Sequence, residues 1–479
     1  MKIKTKPDVD NVGKYIAFIE DYKSPSDLDL FLEKNKGLFS KFYINSIFKN
    51  KIKSDLNISW FNKEEIEEKY KENKTIPKWI LREDNFEKAM SGKWNEIMPI
   101  TAEFTPTLNC NFRCNQCSYS VPKQKLGVWK KDNSKEFSSD FENQNIHMTL
   151  ESAKKIIDGL RSGGVKNILF TGGGEPFVNS DVTIKGMFYA KEKGLTIGLY
   201  SNGSLLNKEI IKDIFKINPL FIRISIYGSN PESFSKYTNQ SSKLYSHVLE
   251  NVKLLAQEKI KTKSSTQIGL SFLLHPDTIN DLNQIEKYLM KELSPKELKV
   301  INSCRFTPAV DYFGGPQHSD EIMRKIFLFI EKNIKPKLEK FDIDVKLYFH
   351  RLNDLNKKKT YKKCRASGWY LEIGPSGDAF ICCEKLFSDN SKIGNLKNQS
   401  IEDIYKSDLR KKVIDTIDSC ECKECPPVCK PHELNKIFDD IDVLINEGKI
   451  DSIKKWRNDI LEHGKNINYF AGKLNDFES

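Results

Sequence analysis

The chain has 479 residues, enough for two or three domains at roughly 150 residues each. It is 38% hydrophobic and 30% charged, with 29 Phe and 17 Tyr to fill cores, which excludes a disordered or low-complexity polypeptide. The net charge of +11 does not mark a nucleic-acid binder: only 10 of the 77 basic residues are Arg, and the Lys excess reads as solvated surface. No apolar run reaches the roughly 18 residues that span a membrane, and no apolar stretch follows the charged start as in a secretion signal. The expected compartment is the cytoplasm, where 11 cysteines read as metal ligands or reactive thiols rather than disulfides.

Residues 1–97 have apolar positions at helical spacing, as in "DLDLFLEKNKGLFSKF", and predict a helical extension without recognisable chemistry. From 98 the pattern changes. "PITAEFTPT" is a short extended run that ends at "NCNFRCNQCSY", with Cys110, Cys114 and Cys117. Residues 121–147 lack periodicity and predict a lid over the site, anchored by Trp129 and Phe137. "TLESAKKIIDGL" then places Ala153, Ile156, Ile157 and Leu160 on one helical face, with Thr149 as its N-cap.

Strand and helix alternate from there: "NILFTGGGEP", a helix near 181–193, "LTIGLYSNG", "KEIIKDIF", "LFIRISIYG", a helix at 243–259, "QIGLSFLL", a helix at 281–292 and "LKVINSCRF". Six strands alternating with helices predict an α/β fold, a partial (β/α)6 TIM-like barrel over 98–310. Chemistry in such folds gathers at the C-terminal ends of the strands. The cysteines, "GGGEP", "SNGS" and "SIYG" all follow strand ends. Residues 311–340 are expected to form a linker helix, and beyond 340 the alternation ends. "VKLYFHR" and "WYLEIGPSGDAFICC" read as strands, the latter with a Pro-Ser-Gly-Asp turn, in a small domain over 341–435. A polar helical tail fills 436–479.

Three cysteines are too few for a structural zinc site, which takes four protein ligands. Zinc completed by a distant His or Cys is one reading, although none of the 7 His lies within 25 residues. The other is a cubane 4Fe-4S cluster with three irons held and the fourth open to a small molecule. The spacing C-x3-C-x2-C after a first strand, followed by "GGGEP", "SNGS" and "RISIYG", resembles the radical SAM superfamily over about 98–310. The resemblance implies that Cys110, Cys114 and Cys117 hold a 4Fe-4S cluster whose open iron binds S-adenosylmethionine. It further implies that Gly172, Gly173, Gly174 and Glu175 face the methionine amino group, and that Ser201, Asn202 and Ser225 lie near the ribose or carboxylate. Turn packing is the competing role for Asn202 and Ser225. Gln116 stands where the family usually keeps an aromatic residue whose backbone meets the adenine; Tyr119 is a substitute two residues on.

Seven cysteines fall between 364 and 429. C-x12-G-x4-C at Cys364, Gly377 and Cys382, then Cys422, Cys425 and Cys429, resembles the auxiliary iron–sulfur extension called SPASM, or its shorter relative Twitch. The second half departs from the SPASM pattern, being truncated to C-x2-C-x3-C. The resemblance implies at least one auxiliary 4Fe-4S cluster, on Cys364, Cys382, Cys422 and Cys425. Cys429, Cys420 or Cys383 stand as alternative ligands, and structural zinc remains the competing reading.

The implied function is reductive cleavage of S-adenosylmethionine to a 5′-deoxyadenosyl radical that abstracts hydrogen from a ribosomally made peptide or protein. The enzyme would be an oxidoreductase of the maturase type, supplied with electrons by a flavodoxin or ferredoxin. A small-molecule dehydrogenase or epimerase, for instance on an aminosugar, is the second enzyme reading, and a non-catalytic sensor or scaffold the reading of another class. A proton acceptor is expected at the end of the sixth strand, from Cys304, Asp311 or Tyr312. No membrane or nucleic-acid partner is expected.

Overall fold

The computed structural model describes residues 82–115, 117, 147–275, 278–311, 315–316, 320–347, 359, 361–383, 389–419, 422, 425, 429, 432–451, 453–455 and 457–458. Gln116, Tyr119, Tyr312 and Cys420 lie outside these residues, as do the expected lid with Trp129 and Phe137, residues 1–81 and the end of the tail. Helix α1 (Glu83–Met90) leads into β1 (Thr101–Phe104). The core alternates from there: α2 (Leu150–Ser162), β2 (Asn167–Phe170), α3 (Ser180–Glu192), β3 (Thr196–Ser201), α4 (Lys208–Ile217) and β4 (Phe221–Ser225). Two helices follow, α5 (Pro231–Thr238) and α6 (Lys243–Thr262), then β5 (Gln267–Leu274), α7 (Ile285–Glu292) and β6 (Ile301–Pro308).

Local chemistry explains the elements. Thr149 caps α2 by accepting from the Ser152 amide at 3.2 Å, and Ala153, Ile156, Ile157 and Leu160 are all buried as the spacing predicts. The helix ends at Gly163, and Gly164 takes a positive φ of 84° that a Cβ would strain. Along each strand, alternate residues such as Ile168 and Phe170 enter the core between sheet and helices, because strand side chains alternate faces.

The expected linker over 311–340 is instead a crossover. Helix α8 (Asp320–Phe329), a π-helical turn (Ile330–Ile334) and α9 (Lys335–Glu339) return the chain to β7 (Asp344–Leu347), which pairs in parallel with β6. The alternation therefore runs one unit past its expected end. The apolar residues Ile326, Phe327, Ile330 and Leu338 join the barrel core, which is why this segment packs on the sheet.

The C-terminal hairpin extends the same sheet on its other side. Strand β8 (Tyr370–Ile373) pairs in parallel with β1, with Glu372 opposite Glu103, and carries antiparallel β9 (Asp378–Phe380) and β10 (Lys392–Asn395). The ten-strand order is β10-β9-β8-β1-β2-β3-β4-β5-β6-β7. Helices α10 (Ile401–Lys406), α11 (Asp408–Ser419) and α12 (His432–Asn446) follow. A second core joins α1 to α12 through Phe86, Met90, Trp369, Phe438 and Ile441. Ion pairs Lys454–Glu87 and Arg457–Glu83 add to it. Among the described residues, no helix is long and apolar enough to cross a membrane.

Candidate active site and auxiliary cysteine cluster

The cysteine loop is docked from three sides. From β2, the Glu175 amide donates to the Asn109 carbonyl at 2.9 Å. A Cβ on Gly174 would sit 2.2 Å from that same carbonyl oxygen, so only glycine lets the loop pass this close. Gly172, at φ 136°, faces Thr105 at the end of β1 in the same way. From β3, Asn202 Nδ2 donates to Asn111 Oδ1 at 2.9 Å, and Asn111 Nδ2 donates to Ser204 Oγ at 2.8 Å. From α5, the Tyr237 and Thr238 carbonyls accept from the amides of Asn115 and Arg113. These acceptors belong to the last turn of α5, where carbonyls have no partner within the helix. Phe112 fixes the loop centre, edge-on to Phe234 at 5.7 Å.

Glu175 is the strut between strand ends. It is buried to 2% exposure; Oε1 accepts from Ser201 Oγ at 2.7 Å, and Oε2 accepts from the Asn202 amide at 2.7 Å. Burial pushes its carboxyl up to about 7, against the lowering effect of these bonds. Asn202 is similarly engaged, since its Oδ1 accepts from the Ser204 amide and hydroxyl. The Asn202 side chain is thus hydrogen-bonded within the turn, and the residue also lines the cavity beside the cysteine loop.

Cys110, Cys114 and Cys117 line one cavity of about 380 Å³ together with the glycines 172–174, Ser201, Asn202 and Ser225. That volume is in the range of small-ligand pockets. Burial pushes the Cys110 thiol up to about 12 and Cys114 well above its ordinary value; the neighbouring thiols and, for Cys110, the Glu175 carboxylate add to this. Cys110 and Cys114, each raised partly by a neighbouring thiol, are sulfurs that a cationic centre would hold deprotonated. Among the described residues, the three sulfurs are not gathered within 4.8 Å of one another. Tetrahedral zinc with Zn–S bonds of about 2.3 Å would need sulfurs ~3.8 Å apart. Three thiols around one cavity are a soft donor set of the kind that holds iron–sulfur clusters or zinc.

His147 is distant in sequence but adjacent in space. Its Nδ1 meets Thr107 Oγ1 at 2.9 Å and its Nε2 meets Asn109 Nδ2 at 3.1 Å, so both nitrogens brace the loop.

Of the residues expected to offer a proton acceptor, Cys304 is fully buried in the core between sheet and helices, where burial raises its thiol, and it is not among the residues lining the cavity. Its neighbours Arg305 and Thr307, on the opposite face, line the cavity, with Arg305 Nε donating to Thr307 Oγ1 at 2.9 Å. Asp311 lies in a two-residue strand paired with Gly315–Pro316. Residues that motif reading missed include Arg223, stacked over the Tyr200 ring at 4.3 Å, and Tyr227, held at a φ of 59° that is rare for an aromatic residue. Period-two alternation would have found Arg223 and Arg305, since each shares a strand face with an identified or neighbouring polar position.

The second cysteine set converges under the hairpin. Burial, with the Cys425 and Cys382 thiols, pushes Cys364 up to about 12. Cys429 is raised by burial and by Cys364, Cys382 and Cys425. Cys422 is raised by its hydrogen bond with Cys425 and by burial. Asn435 Nδ2 donates to Cys364 Sγ at 3.6 Å, and His432 Nδ1 meets the Tyr361 hydroxyl at 3.1 Å. Cys383 turns the other way. Its sulfur and the carboxylates of Glu103 and Glu372 lie within 4.8 Å of one another.

Residues 104–289 match the profile of the Radical SAM superfamily, and residues 364–426 match SPASM, described as an iron-sulfur cluster-binding domain. The chain is 27% identical over 190 residues to Fe-coproporphyrin III synthase of Methanosarcina barkeri, a match covering 40% of this chain and 41% of that protein. It is 22% identical over 338 residues to the cysteine-type anaerobic sulfatase-maturating enzyme of Clostridium novyi, covering 67% of this chain and 84% of the relative. The fold is similar to that of Streptococcus suis SuiB bound to precursor peptide SuiA, with a TM-score of 0.50, 12% identity, and coverage of 87% of this chain and 86% of that one. Glycine-docked cysteine loop, parallel core sheet and auxiliary thiol set thus agree with the two profiles: the chain carries a radical SAM domain over 104–289 and a SPASM iron-sulfur domain over 364–426.

Proposed function

We propose that this chain is a radical SAM oxidoreductase of the maturase type, acting on a ribosomally made peptide or protein. The observation that carries the reading is the shared cavity of Cys110, Cys114 and Cys117 with the glycine loop and the ends of β3 and β4. Cys110, Cys114 and Cys117 would hold a 4Fe-4S cluster, with the fourth iron left to S-adenosylmethionine. When bound, this pair supplies a 5′-deoxyadenosyl radical that takes hydrogen from substrate.

The protein's own part is positioning. Gly172, Gly173 and Gly174 bring main chain close to the ligand, Glu175 locks two strand ends together, and Ser201 and Ser225 present hydroxyls at the cavity wall. Arg223 and Arg305 give that wall positive charge, and Tyr200, Tyr227 and Tyr237 give it aromatic surface. Cys364, Cys382 and Cys425 would hold one auxiliary cluster, with Cys429 and Cys422 as the candidates for its fourth iron. Reducing conditions, and hence the cytoplasm with a flavodoxin or ferredoxin as donor, suit these free thiols.

The peptide reading draws on coverage. The relative aligned over 67% of this chain is a sulfatase-maturating enzyme, whereas the porphyrin-related match covers 40%. The experiment is anaerobic reconstitution with iron and sulfide, followed by S-adenosylmethionine and dithionite. Release of 5′-deoxyadenosine is expected, and a mass change in a short peptide encoded beside this chain would identify the substrate class. No nucleoside release from protein with its clusters present and reduced would overturn the enzyme reading. Turnover of an aminosugar, with no change in the peptide, would move the substrate to the small-molecule class.

A further inference from the structure

Arg410 is a buried cation without a counter-ion. It sits in the first turn of α11 at 2% exposure. Its Nη1 donates to the Asn95 carbonyl at 2.9 Å and the Tyr405 carbonyl at 3.2 Å, and the guanidinium lies over the Tyr405 ring at 4.3 Å. Its Nε is fully buried and donates to nothing. Among the described residues, no carboxylate pairs with it. The nearby acids are committed elsewhere: Glu402 to Lys406 at 2.6 Å, Glu96 to Lys93 at 3.9 Å, and Asp84 to Arg82 at 2.8 Å. A guanidinium stays charged in a protein, so this site carries an uncompensated positive charge out of water.

The charge borders a cavity of about 660 Å³. Its walls come from α1, the turn at 94–96, Gly163–Gly164 at the end of α2, and α10 and α11. Gly163–Gly164 precede β2, so this cavity opens at the end of the sheet opposite to the cysteine loop. Lys88, Lys406 and Lys411 line it as well, while Met98 and Ile414 supply apolar surface. The N-terminus of the twelve-residue α11 also faces it: Ser407, a lining residue, caps the helix by accepting from the Arg410 amide at 3.1 Å. Helix N-termini favour anions, because their amides and dipole are both positive there.

We propose that this cavity is a second ligand site, one that takes a small molecule bearing an oxyanion, either a carboxylate or a phosphate, with an apolar portion against Met98 and Ile414. The oxyanion would neutralise Arg410, and Lys411 would steer it from the rim. A ligand seated there would touch the leading helix, the barrel and the SPASM helices at once, and so hold the three together. The site is independent of S-adenosylmethionine cleavage and needs neither cluster as a ligand.

The test is isothermal titration of the full chain, clusters reconstituted, with inorganic phosphate and separately with succinate, ionic strength being held constant with sodium chloride. Saturable binding of at least one is expected, weakened at least about tenfold in Arg410→Met and in Lys411→Glu. Binding of phosphate alone assigns the phosphate class, and of succinate alone the carboxylate class. Lys411 is exposed, so its variant keeps the test decisive if Arg410→Met does not fold. Lys412→Glu, outside the cavity, should bind as the parent does. Absence of saturable binding for both probes overturns the site. So does binding that survives the Lys411→Glu change, which would mean an adventitious ion only, or an equal loss in Lys412→Glu, which would mean unspecific attraction.

Discussion

The Ser201 hydroxyl donates to Oε1 of Glu175 at 2.7 Å, tying the end of β3 to the glycine loop after β2. The next amide, that of Asn202, takes Oε2 of the same carboxylate. Glu175→Ala would leave three buried donors without this acceptor, since the Phe177 amide also donates to Oε1 at 3.3 Å. The expected loss is about 2–4 kcal/mol of stability. Urea unfolding measures it, and a parallel loss of S-adenosylmethionine affinity would report the disordered strand ends.

Removing the three loop thiols should separate the two cysteine sets. A Cys110/Cys114/Cys117→Ala triple variant is expected to lose about four irons per chain and all nucleoside release, while the SPASM set keeps its iron. Iron and sulfide assays decide this. A variant that loses all its iron would mean that the second set does not load by itself.

Gly174→Ala places a Cβ 2.2 Å from the Asn109 carbonyl oxygen, a backbone atom that cannot rotate away. The loop must shift. The expected cost is about 1–3 kcal/mol, together with impaired cluster loading, readable in the visible absorption of the reconstituted protein.

Cys304 and Arg305 should behave oppositely although adjacent. Cys304→Ala is expected to cost about 1 kcal/mol of stability and to leave nucleoside release intact. Arg305→Ala should lower kcat/KM at least about tenfold at little cost in stability. Equal effects of the two would contradict their assignment to opposite faces of β6.

Lys259 gives a pH signature away from the site. Burial pulls its amine down to about 8 from 10.5, where it donates to the Val300 carbonyl and Asn302 Oδ1. Between those values the unfolded chain holds a proton that the folded chain has shed. Stability therefore rises with pH across that window. In Lys259→Met this contribution vanishes, so the wild-type minus variant difference in unfolding free energy should climb from pH 8 to 10.

Strand-end motifs were legible because their chemistry is local. Cysteine spacing, the three glycines and the buried faces of α2 each depend on residues a few positions apart, and the structure keeps them as read. What lay beyond sequence reading was spatial. His147 is 30 residues past Cys117, yet hydrogen-bonds to the loop, because β1 and the start of α2 are brought side by side. The crossover through α8 and α9 reads as a linker because its return strand β7, legible within "VKLYFHR", falls in the expected small C-terminal domain, and pairing with β6 is a tertiary contact.

By itself, then, the sequence determined the alternation of strands and helices, the two cysteine sets and the glycine loop, since periodicity and spacing are properties of the chain. Tertiary packing alone decided which side chains share a cavity. It engaged Asn202 and Glu175 in joining strand ends, and it set Cys383 beside Glu103 and Glu372. It also closed α1, α2 and α11 around Arg410. Each of these outcomes depends on which elements meet, and no local pattern encodes that.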